Sequence, residues 1–409
     1  MTKDKPKIAL LVSDTNPGGT ATSTDLLVRN IDRGKYKVVV VVCGPGPVGE
    51  RIGKNADEFH NLGVGSWPHV RRLKKGCLRA NPFGWLALMV WILRCAWRVS
   101  FWLRKEQIDL IHTNTSHFNL VAGIAGRLTG VPSIWHIRVP QSMPLRRGGP
   151  FLVEGYLAAA LATKFIANSC YTAGTFHHTW KRKTVIAWNA VDVAAINSNQ
   201  REGQLRKMAG ASGGERLVGV TGLISHRKGM DRFIEMAAKL AKSRDDVRFV
   251  IVGGAHGEAS TQCYHELVRL AEELGVSGKL HFAGDIDDAS YYVGDMDAFF
   301  MCSRPGTESF GLVVIEAMAA AVPVVAFAND AIPEIIEDGE TGYLVPEGDT
   351  AAAAGRISQI LDDSKLAGKL KEAGEQKVLK NFDVPVLISN IEKLYAEVLQ
   401  RPRRDWRNK

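Results

Sequence analysis

Residues 304–326 read RPGTESFGLVVIEAMAAAVPVVA, and two glutamates in this stretch, Glu308 and Glu316, are separated by seven mostly apolar residues. The run 310–321 is rich in strong helix formers and has no polar face, which predicts a helix buried on every side. The apolar residues after Pro323 predict a buried strand. A buried helix followed at once by a buried strand is typical of a parallel α/β domain.

The two glutamates need different explanations. Glu308 lies in the loop before the helix, where a proline–glycine pair predicts a turn and Thr307 or Ser309 could cap the first helical turn. Glu316 lies within the apolar run, and a buried carboxylate is costly unless it is paired. Its partner is either an arginine of the core or a bound ligand, and this stretch alone leaves both open.

Short apolar runs rich in β-branched residues alternate with helical patterns along the chain. Those of the first half are KIALLV, KVVVVVC, IDLIHT, PSIWHI and TKFIAN. Those of the second half are ERLVGVTG, VRFVIVGG, KLHFAGD, DAFFMC, VPVVAFA and TGYLVP. Helical patterns over 230–243, 262–274 and 351–361 separate runs of the second half. The alternation predicts an α/β protein with two facing, doubly wound Rossmann-like domains and an interdomain cleft.

The predicted domains are residues 1–192 and 193–383, divided in a polar stretch that lacks a strand pattern. Residues 384–409 are expected to form a helix that packs back towards the first domain, with a basic tail. Ligands of such domains bind at the carboxyl ends of the strands. We therefore expect the site in the cleft between the two domains.

Each half offers one loop at the expected position. In SDTNPGGTATS, Gly18 and Gly19 precede a predicted helix, which indicates either close approach to a ligand or only a tight turn. In TGLISHRKGMDRF, Arg227 and Lys228 follow Gly222 by a few residues. Cations at this position suit a diphosphate, although a solvated basic loop has the same composition.

Composition indicates a globular protein of two or three domains. The 409 residues are 45% hydrophobic and 23% charged, and six scattered cysteines form no C-x-x-C pair. We therefore expect a reducing cytoplasm and no structural zinc. The first apolar stretch is too short and too weakly flanked for a signal peptide, so export is not expected.

The net charge of +9 is concentrated in residues 67–105, which hold nine basic residues and five of the nine tryptophans. Arg94 and Arg98 interrupt the apolar run, so it should not span a bilayer. A helix of this composition either lies in a membrane interface or is a core helix with a basic stripe. The sequence leaves both open, and we expect no nucleic-acid partner.

Several of these segments together resemble one family over most of the chain. They are NPGG, WHI, WNAVD, TGLISHRKG, FAGD and, most specifically, ESFGLVVIEAMAAAVPVVA. The chain resembles the retaining glycosyltransferases of family four, which are of the group 1 type and have the GT-B fold. The resemblance implies an acceptor-binding first domain and a nucleotide-sugar-binding second domain. It also implies that no metal or other cofactor is required.

The resemblance further implies residue roles. Glu308 would contact the donor sugar, Glu316 would hold the ribose hydroxyls, Lys228 would bind the diphosphate, and His136 would lie near the reacting face of the sugar. From the residues alone, His136 is equally a core histidine. The remaining residues expected to bind substrate form loops and a helix start, namely Gly18, Gly19, Gly222, Ser309, Phe310, Gly311 and Leu312.

One position departs from the family pattern. The family often has arginine directly after the glycine of the basic loop, but Gly222 is followed by Leu223. We expect Arg227 to supply the missing cation. The triplets DID at Asp285 and DMD at Asp295 imitate a metal-binding D-x-D motif, and we interpret both as structural.

The expected reaction is retaining transfer of a sugar from a nucleotide sugar to a glycan or lipid-linked acceptor in cell-surface polysaccharide or glycolipid synthesis. The protein would be cytoplasmic, with peripheral attachment to an anionic membrane through residues 67–105. Two alternatives are a nucleotide-sugar 2-epimerase of the same fold and a non-catalytic binding protein, which Leu223 favours. The sequence does not identify the sugar, the base or the acceptor.

Overall fold

The computed structural model describes residues 5–12, 18–44, 46–64, 71–74, 77–80, 82–141 and 150–400. The chain forms two compact units, Met1–Ala187 with Leu387–Lys409 and Trp188–Val386. These divisions lie a few residues from the predicted boundaries after 192 and 383. The difference arises because Val191 pairs with the segment around Asp383, so both segments join the second unit.

The first unit is built on a parallel sheet with helices between its strands. Its strands are β1 Lys7–Leu11, β2 Lys37–Val42, β3 Glu58–Asn61, β4 Arg71–Lys74, β5 Cys77–Ala80, β6 Leu110–Thr113, β7 Ser133–Ile137, β8 Lys164–Ala167 and β9 Thr184–Ile186. Its helices are α1 Gly19–Asn30, α2 Pro47–Gly53, α3 Pro82–Lys105, α4 Ser116–Thr129, α5 Pro150–Leu161, α6 Cys170–Gly174 and α7 His178–Lys181. The sheet order is β3-β2-β1-β6-β7-β8-β9, and β4 and β5 form a separate antiparallel hairpin.

The five strands predicted for this half are all present as β1, β2, β6, β7 and β8. Every residue of β6 and β7 is buried, as expected for strands covered on both faces. The edge strands β3 and β9 and the hairpin were not predicted. Their sequences EFHN and TVI are short, and they lack the long apolar run that marks a central strand.

The second unit repeats the plan with a six-stranded parallel sheet. Its strands are β10 Arg216–Thr221, β11 Val247–Val252, β12 Leu280–Gly284, β13 Ala298–Met301, β14 Val324–Phe327 and β15 Tyr343–Val345. Its helices are α8 Val193–Ser198, α9 Gln204–Met208, α10 Met230–Ala241, α11 Glu258–Glu273, α12 Leu312–Ala319, α13 Ile332–Ile335, α14 Thr350–Asp362 and α15 Ser364–Asn381. The order β12-β11-β10-β13-β14-β15 confirms all six predicted strands and the doubly wound topology.

The cores lie on both faces of each sheet. In the second unit, Val218 and Phe249 belong to the cluster on one face, while Leu217 and Val250 belong to the cluster on the other. Successive strand residues point to opposite faces, so both faces of β10 and β11 need apolar cover. This explains why residues 217–220 and 249–252 are apolar at every position rather than at every second one.

The last helix, α16 Val384–Leu399, connects the second unit back to the first. Glu392 accepts a hydrogen bond from Lys35 over 2.8 Å, and the fully buried Tyr395 contacts His112. The hydroxyl of Tyr395 lies 2.6 Å from Nδ1 of His112 in β6. Helix α16 is thus anchored to the sheet of the first unit.

Helix α3 carries large apolar side chains on both its inner and its outer face. Its inner face packs in the core of the first unit through residues such as Trp91, Cys95 and Trp102. Its outer face exposes six large apolar side chains, namely Leu86, Met89, Val90, Leu93, Trp97 and Phe101. Within the described residues it is the one helix long and apolar enough to cross a membrane, but half of the segment concerned is buried in the domain.

Candidate active site

The candidate site of the second unit lies at the carboxyl ends of β10, β11 and β13. Gly253 follows β11 with φ +148°, and a Cβ atom there would lie 1.9 Å from the carbonyl oxygen of Gly222 after β10. Gly229 has φ +65°, and its Cβ would lie 2.1 Å from the carbonyl oxygen of Cys302. Glycine is therefore required for these strand ends and loops to approach so closely.

An ion pair joins two of the residues that the resemblance singled out. Nζ of Lys228 lies 2.6 Å from Oε1 of Glu308, and the hydroxyl of Ser303 donates a hydrogen bond to the same oxygen over 2.9 Å. The side chain of Glu308 is almost completely buried, whereas about a quarter of Lys228 is accessible. The charges neutralise each other, and the exposed part of Lys228 remains open to a second anion.

The loop that carries Glu308 is fixed by Asp330, which sequence analysis missed. The carboxylate of Asp330 accepts hydrogen bonds from the amides of Gly306, Thr307 and Glu308 over 2.8, 2.9 and 2.9 Å. One side chain thereby satisfies three successive loop amides. Asp330 lies 22 residues beyond Glu308 and has no motif of its own, so the sequence held no signal for this role.

Arg304 links the Glu308 loop to the basic loop and was also missed. Its guanidinium forms a two-bond pair with Asp231 over 2.9 and 2.6 Å and also donates to the carbonyl of His226 over 2.6 Å. Its backbone amide donates to the carbonyl of Arg227 over 2.9 Å. The bidentate geometry fixes the two loops relative to each other.

The start of α12 differs from the prediction. The helix begins at Leu312, and its N-cap is Gly311 with φ 110° and without a side-chain cap, so capping by Thr307 or Ser309 was wrong. The hydroxyl of Thr307 instead donates to the carbonyl of Arg304 over 2.5 Å. Phe310, two residues before the helix, is buried in the core of the second unit.

The expectation that this helix is buried on every side was wrong along one stripe. Leu312, Val313, Glu316 and Ala320 are partly accessible, while the intervening residues are buried. Residues spaced by three or four lie on one face of a helix, so the stripe is continuous. Glu316 therefore faces the one side of α12 that a ligand can reach.

The carboxyl group of Glu316 has a raised pKa. Burial raises the pKa of its carboxyl group to about 7, and Lys228 opposes this shift. Part of the side chain is accessible to solvent, but protein surrounds it on most sides, so burial remains the dominant cause. Among the described residues, none donates a hydrogen bond to this carboxylate, in contrast to Glu308. A ligand with hydroxyl donors would favour its ionised form.

The residues around the altered position of the basic loop are exposed. Leu223 is 48% exposed, and the guanidinium of Arg227 makes no hydrogen bond or ion pair with any described residue. The backbone of Arg227 is nevertheless held through its carbonyl oxygen by Arg304. The structure thus offers Arg227 as a cation that is free to meet an anion from solution.

The glycine loop of the first half lies mostly outside the described residues, since 13–17 are not among them. Gly18 has an extended backbone, and a Cβ there would meet nothing within 4 Å. Gly18 and Gly19 begin α1 and are both exposed. Their contact with a ligand stays a prediction.

His136 lies in β7 of the first unit, whereas Glu308, Lys228 and Arg227 belong to the second. It is buried, with Nδ1 3.3 Å from Nε2 of His112 and 3.4 Å from Nη2 of Arg138. Its Nε2 has no hydrogen-bond partner in the described part of the chain. It is therefore not a satisfied core histidine, and its contact with a sugar stays a prediction.

The two D-x-D triplets make structural contacts. Asp295 accepts hydrogen bonds from the amides of Gly203, Leu205 and Arg206 over 2.7, 2.8 and 3.3 Å at the start of α9. Asp285 lies 2.7 Å from Nε2 of His256. Asp295 therefore caps the start of α9 and joins this helix to the segment before β13.

Two family models match complementary parts of the chain. Residues 202–377 match the model described as Glycosyl transferases group 1, and residues 17–195 match the model described as Glycosyltransferase Family 4. The first match contains the whole candidate site around Lys228, Glu308 and Glu316. The second contains His136.

Curated relatives match part of the chain. It is 34% identical over 173 residues to a phosphatidyl-myo-inositol mannosyltransferase of Mycobacterium leprae, covering 42% of this chain and 44% of that protein. It is 29% identical over 197 residues to N-acetyl-alpha-D-glucosaminyl L-malate synthase of Bacillus anthracis, covering 48% and 49%. The chain thus spans less than half the length of these relatives.

Solved structures match almost the whole chain. The Anabaena protein HepE in complex with UDP and glucose has a TM-score of 0.76 at 22% identity, covering 96% of this chain and all of that one. A glycosyltransferase of Rickettsia africae has a TM-score of 0.81 at 18% identity, covering 98% and all of that chain. At these identities the likeness establishes the fold. With its two Rossmann-like sheets and its two family matches, the chain belongs to the family-four, group 1 glycosyltransferases of the GT-B fold.

Proposed function

We propose that this protein is a retaining glycosyltransferase that moves a sugar from a nucleotide sugar to an acceptor held at the cytoplasmic membrane. The product would serve cell-surface polysaccharide or glycolipid synthesis. The observation that carries the proposal is the ion pair of Lys228 and Glu308 together with the half-buried carboxylate of Glu316, which accepts no hydrogen bond from any described residue.

Glu316 is proposed to bind the ribose of the donor. A carboxylate can accept hydrogen bonds from two neighbouring hydroxyls, and Glu316 has no donor within the described protein to compete with them. The crystal structures of HepE with UDP and with UDP-glucose support a nucleoside diphosphate sugar as the first donor class to test. The position of Glu316 on the accessible stripe of α12 is consistent with this role.

Lys228 and Arg227 are proposed to stabilise the leaving diphosphate. As the bond from the anomeric carbon to the diphosphate oxygen breaks, negative charge accumulates on the leaving group and positive charge on the sugar. Lys228 would then be shared between Glu308 and the phosphate, and Arg227 would add the second cation. The amides at Phe310, Gly311 and Leu312 add donors at the start of α12. With these groups, no metal is required.

Retention of the anomeric configuration requires attack on the face that the leaving group vacates. The acceptor hydroxyl forms its bond to the anomeric carbon, and its proton passes to the departing phosphate. Glu308 and His136 are proposed to contact the sugar during this step. Ser303 and Asp330 keep Glu308 in position through its side chain and its amide.

A membrane-held acceptor is supported by the outer face of α3. The exposed apolar residues recur at helical spacing, and Arg94 and Arg98 are exposed among them. No acidic residue occurs in 67–105. The charged residues of α3 are all basic, so this face would repel a second copy of itself and attract anionic lipid. The name of the mycobacterial relative, which specifies a phosphatidyl-inositol acceptor, agrees with a lipid surface.

The test is a panel of UDP- and GDP-sugars measured by thermal stabilisation of the whole chain, followed by nucleotide release with membrane extracts in the presence of EDTA. One donor should raise Tm, and release should need the extract but no metal. The anomeric configuration of the product is then read by NMR. Stabilisation by no nucleotide sugar would overturn the proposal. Conversion of the donor to its 2-epimer without an acceptor would instead establish an epimerase.

A further inference from the structure

Two buried histidines of neighbouring strands are in contact in the first unit. His112 of β6 and His136 of β7 are each at most 1% exposed, and their rings stack with centroids 5.4 Å apart. Nε2 of His112 lies 3.3 Å from Nδ1 of His136. The transfer reaction proposed above uses His136 but assigns no role to His112.

A third residue extends this contact into helix α16. The hydroxyl of Tyr395 lies 2.6 Å from Nδ1 of His112, and the two rings pack edge to face with centroids 5.7 Å apart. Tyr395 is completely buried, and among the described residues its hydroxyl has His112 as its one hydrogen-bond partner. Tyr395, His112 and His136 thus form a chain of two hydrogen bonds within the first unit.

This chain of hydrogen bonds can run in two directions, because both imidazoles are neutral. Burial lowers the pKa of His112 to about 3 and the pKa of His136 well below its usual range. A neutral imidazole has one N–H group and one accepting nitrogen. In the first direction, Tyr395 donates to Nδ1 of His112, and Nε2 of His112 donates to Nδ1 of His136. In the second, each donor and acceptor is exchanged, and His136 carries its proton on Nδ1.

Two observations select the first direction. Nη2 of Arg138 lies 3.4 Å from Nδ1 of His136, and a guanidinium can only donate, so this nitrogen must accept. Other contacts of the guanidinium do not alter this requirement. In the second direction, the buried hydroxyl proton of Tyr395 would have no acceptor among the described residues, which is costly. In the first direction, His112 accepts it.

The direction of the chain determines what His136 offers to a ligand. Its Nδ1 accepts hydrogen bonds from within the protein, so its proton is on Nε2. This N–H group is buried and has no hydrogen-bond partner in the described part of the chain. Through Nε2, His136 is therefore a hydrogen-bond donor and not a base.

We propose that Tyr395 and His112 are positioning residues, which hold the proton of His136 on Nε2 so that His136 donates a hydrogen bond to an oxygen of the sugar. Tyr395 acts through His112 and does not touch the substrate. The contact of His136 with the sugar rests on the proposed transferase function. The arrangement of protons along the chain does not, and it is measured separately.

The proton arrangement is tested by nuclear magnetic resonance on the whole, ligand-free chain, isotope-labelled in the nitrogens of histidine. Correlations between the ring nitrogens and the carbon-bound ring protons distinguish an imidazole protonated on Nδ1 from one protonated on Nε2. His112→Gln and His136→Gln identify the two sets of signals. Both histidines should be protonated on Nε2, and a proton on Nδ1 of His136 overturns the inference. This measurement needs no substrate, so its result is independent of whether the transfer occurs.

The positioning role is tested by Tyr395→Phe, which removes the hydroxyl group and keeps the ring. Turnover should fall by about threefold to tenfold, because the hydrogen bond that orients His112 is lost. The Kd for UDP or GDP, whichever the donor panel selects, should stay within twofold, because the nucleotide is assigned to residues of the second unit. His112→Leu should lower turnover at least as much. His112→Gln should recover part of that loss, because an amide can both accept from Tyr395 and donate to His136.

Tyr36→Phe is the matched control. Tyr36 is also buried and packs against Tyr395 with ring centroids 5.7 Å apart, but its hydroxyl donates to the carbonyl of Glu392 over 3.3 Å and is not part of the chain. Turnover of this variant should stay within twofold of the unaltered protein. Near-normal turnover in both Tyr395→Phe and His112→Leu overturns the positioning role. An equal loss in Tyr36→Phe does so too, because packing of α16 would then explain the effect.

Discussion

The polar groups of the two units are arranged in opposite ways. In the second unit, charges meet opposite charges: Lys228 pairs with Glu308, and Arg304 pairs with Asp231. In the first unit, His112, Asn114, His136 and Arg138 are buried together at the ends of β6 and β7, and within the described residues Nε2 of His136 and the amide nitrogen of Asn114 have no hydrogen-bond partner. The two ion pairs of the second unit neutralise their own charges without a ligand, whereas two buried donors of the first unit have no partner among the described residues.

The difference has a physical consequence for binding. A preformed ion pair already holds its lysine in one conformation. Little side-chain entropy is therefore lost when a diphosphate binds to this lysine. A buried donor without a partner selects for a ligand that accepts from it, because such a ligand removes the cost of burying the donor. We therefore expect the second unit to govern the rate and the first to contribute to the choice of substrate.

The largest effect is expected for Lys228→Met. The lysine is proposed to stabilise the leaving diphosphate, and removal of one such group lowers turnover by about a hundredfold to a thousandfold. Donor affinity should fall less, because the interaction strengthens as the bond breaks. The measurement is steady-state nucleotide release with the donor that the panel identifies.

The ion pair itself is tested by adding Glu308→Gln to Lys228→Met. The single variant leaves a buried carboxylate without its cation, so its Tm should fall, and the double variant should recover part of the loss. Activity should stay low in both. Lys239→Met, an exposed lysine of α10, is the control and should change neither quantity. Near-normal turnover in Lys228→Met would contradict the expectation that the second unit governs the rate, because the paired lysine would then have only a structural role.

A smaller effect is expected for Arg227→Ala. Its exposed guanidinium meets the diphosphate mainly as charge develops, so turnover should fall by about a hundredfold, roughly 2.7 kcal/mol, with a smaller loss of donor affinity. Leu223→Arg in this variant should recover part of the loss if it reaches the same phosphate. If Arg227→Ala turns over almost normally, Lys228 and the amides of the α12 start are sufficient.

Glu316→Gln should weaken binding of the nucleoside diphosphate. A neutral amide cannot accept two ribose hydroxyls as a carboxylate does, and the expected loss is roughly 1.5–3 kcal/mol. Isothermal titration of the folded variant measures it. Unchanged affinity would contradict the ribose assignment and leave Glu316 as a core residue.

The pH dependence of the same interaction has a defined sign. The pKa of Glu316 is raised to about 7 in the ligand-free protein, so the carboxylate that binds ribose is lost as pH falls through 7. At one pH unit below the pKa only about a tenth is ionised, and the Kd should rise about tenfold between pH 8 and pH 6. Glu316→Gln sees the same titration of the nucleotide phosphate, so the difference between the two profiles isolates Glu316.

Sequence analysis identified the site of the second unit because its residues are close in sequence. Glu308 and Glu316 are eight positions apart, and Lys228 follows a strand that the apolar pattern marks clearly. Asp330 and Arg304 were missed, since their roles depend on loops that meet only in three dimensions. The cluster of the first unit was missed for the same reason, apart from His136, because it joins residues from two neighbouring strands.

The fold followed from the sequence to a similar extent. Central strands such as β2 and β11 are apolar over most of their length and were predicted, whereas the edge strands β3 and β9 are less buried and carry no comparable signal. The accessible stripe of α12 could not be foreseen, because partial exposure depends on which neighbours cover the helix. Composition alone places all of its residues but Glu316 in the core.

The smallest effect is expected for binding of anionic liposomes by the outer face of α3. Arg227 of the second unit is an exposed arginine of the basic loop, whereas Arg94 and Arg98 of α3 flank exposed aromatic residues. Replacing Trp97 and Phe101 by serine removes apolar area that would enter the lipid interface, so binding to anionic liposomes should fall by about threefold to tenfold. Salt should weaken binding of the unaltered protein, because it screens the basic residues.

Substitution of serine for Leu274 and Leu379, two exposed leucines of the second unit, is the matched control and should leave sedimentation with liposomes unchanged. If the unaltered protein does not bind such liposomes at low salt, the acceptor must reach the enzyme from solution, and the outer face of α3 needs another partner.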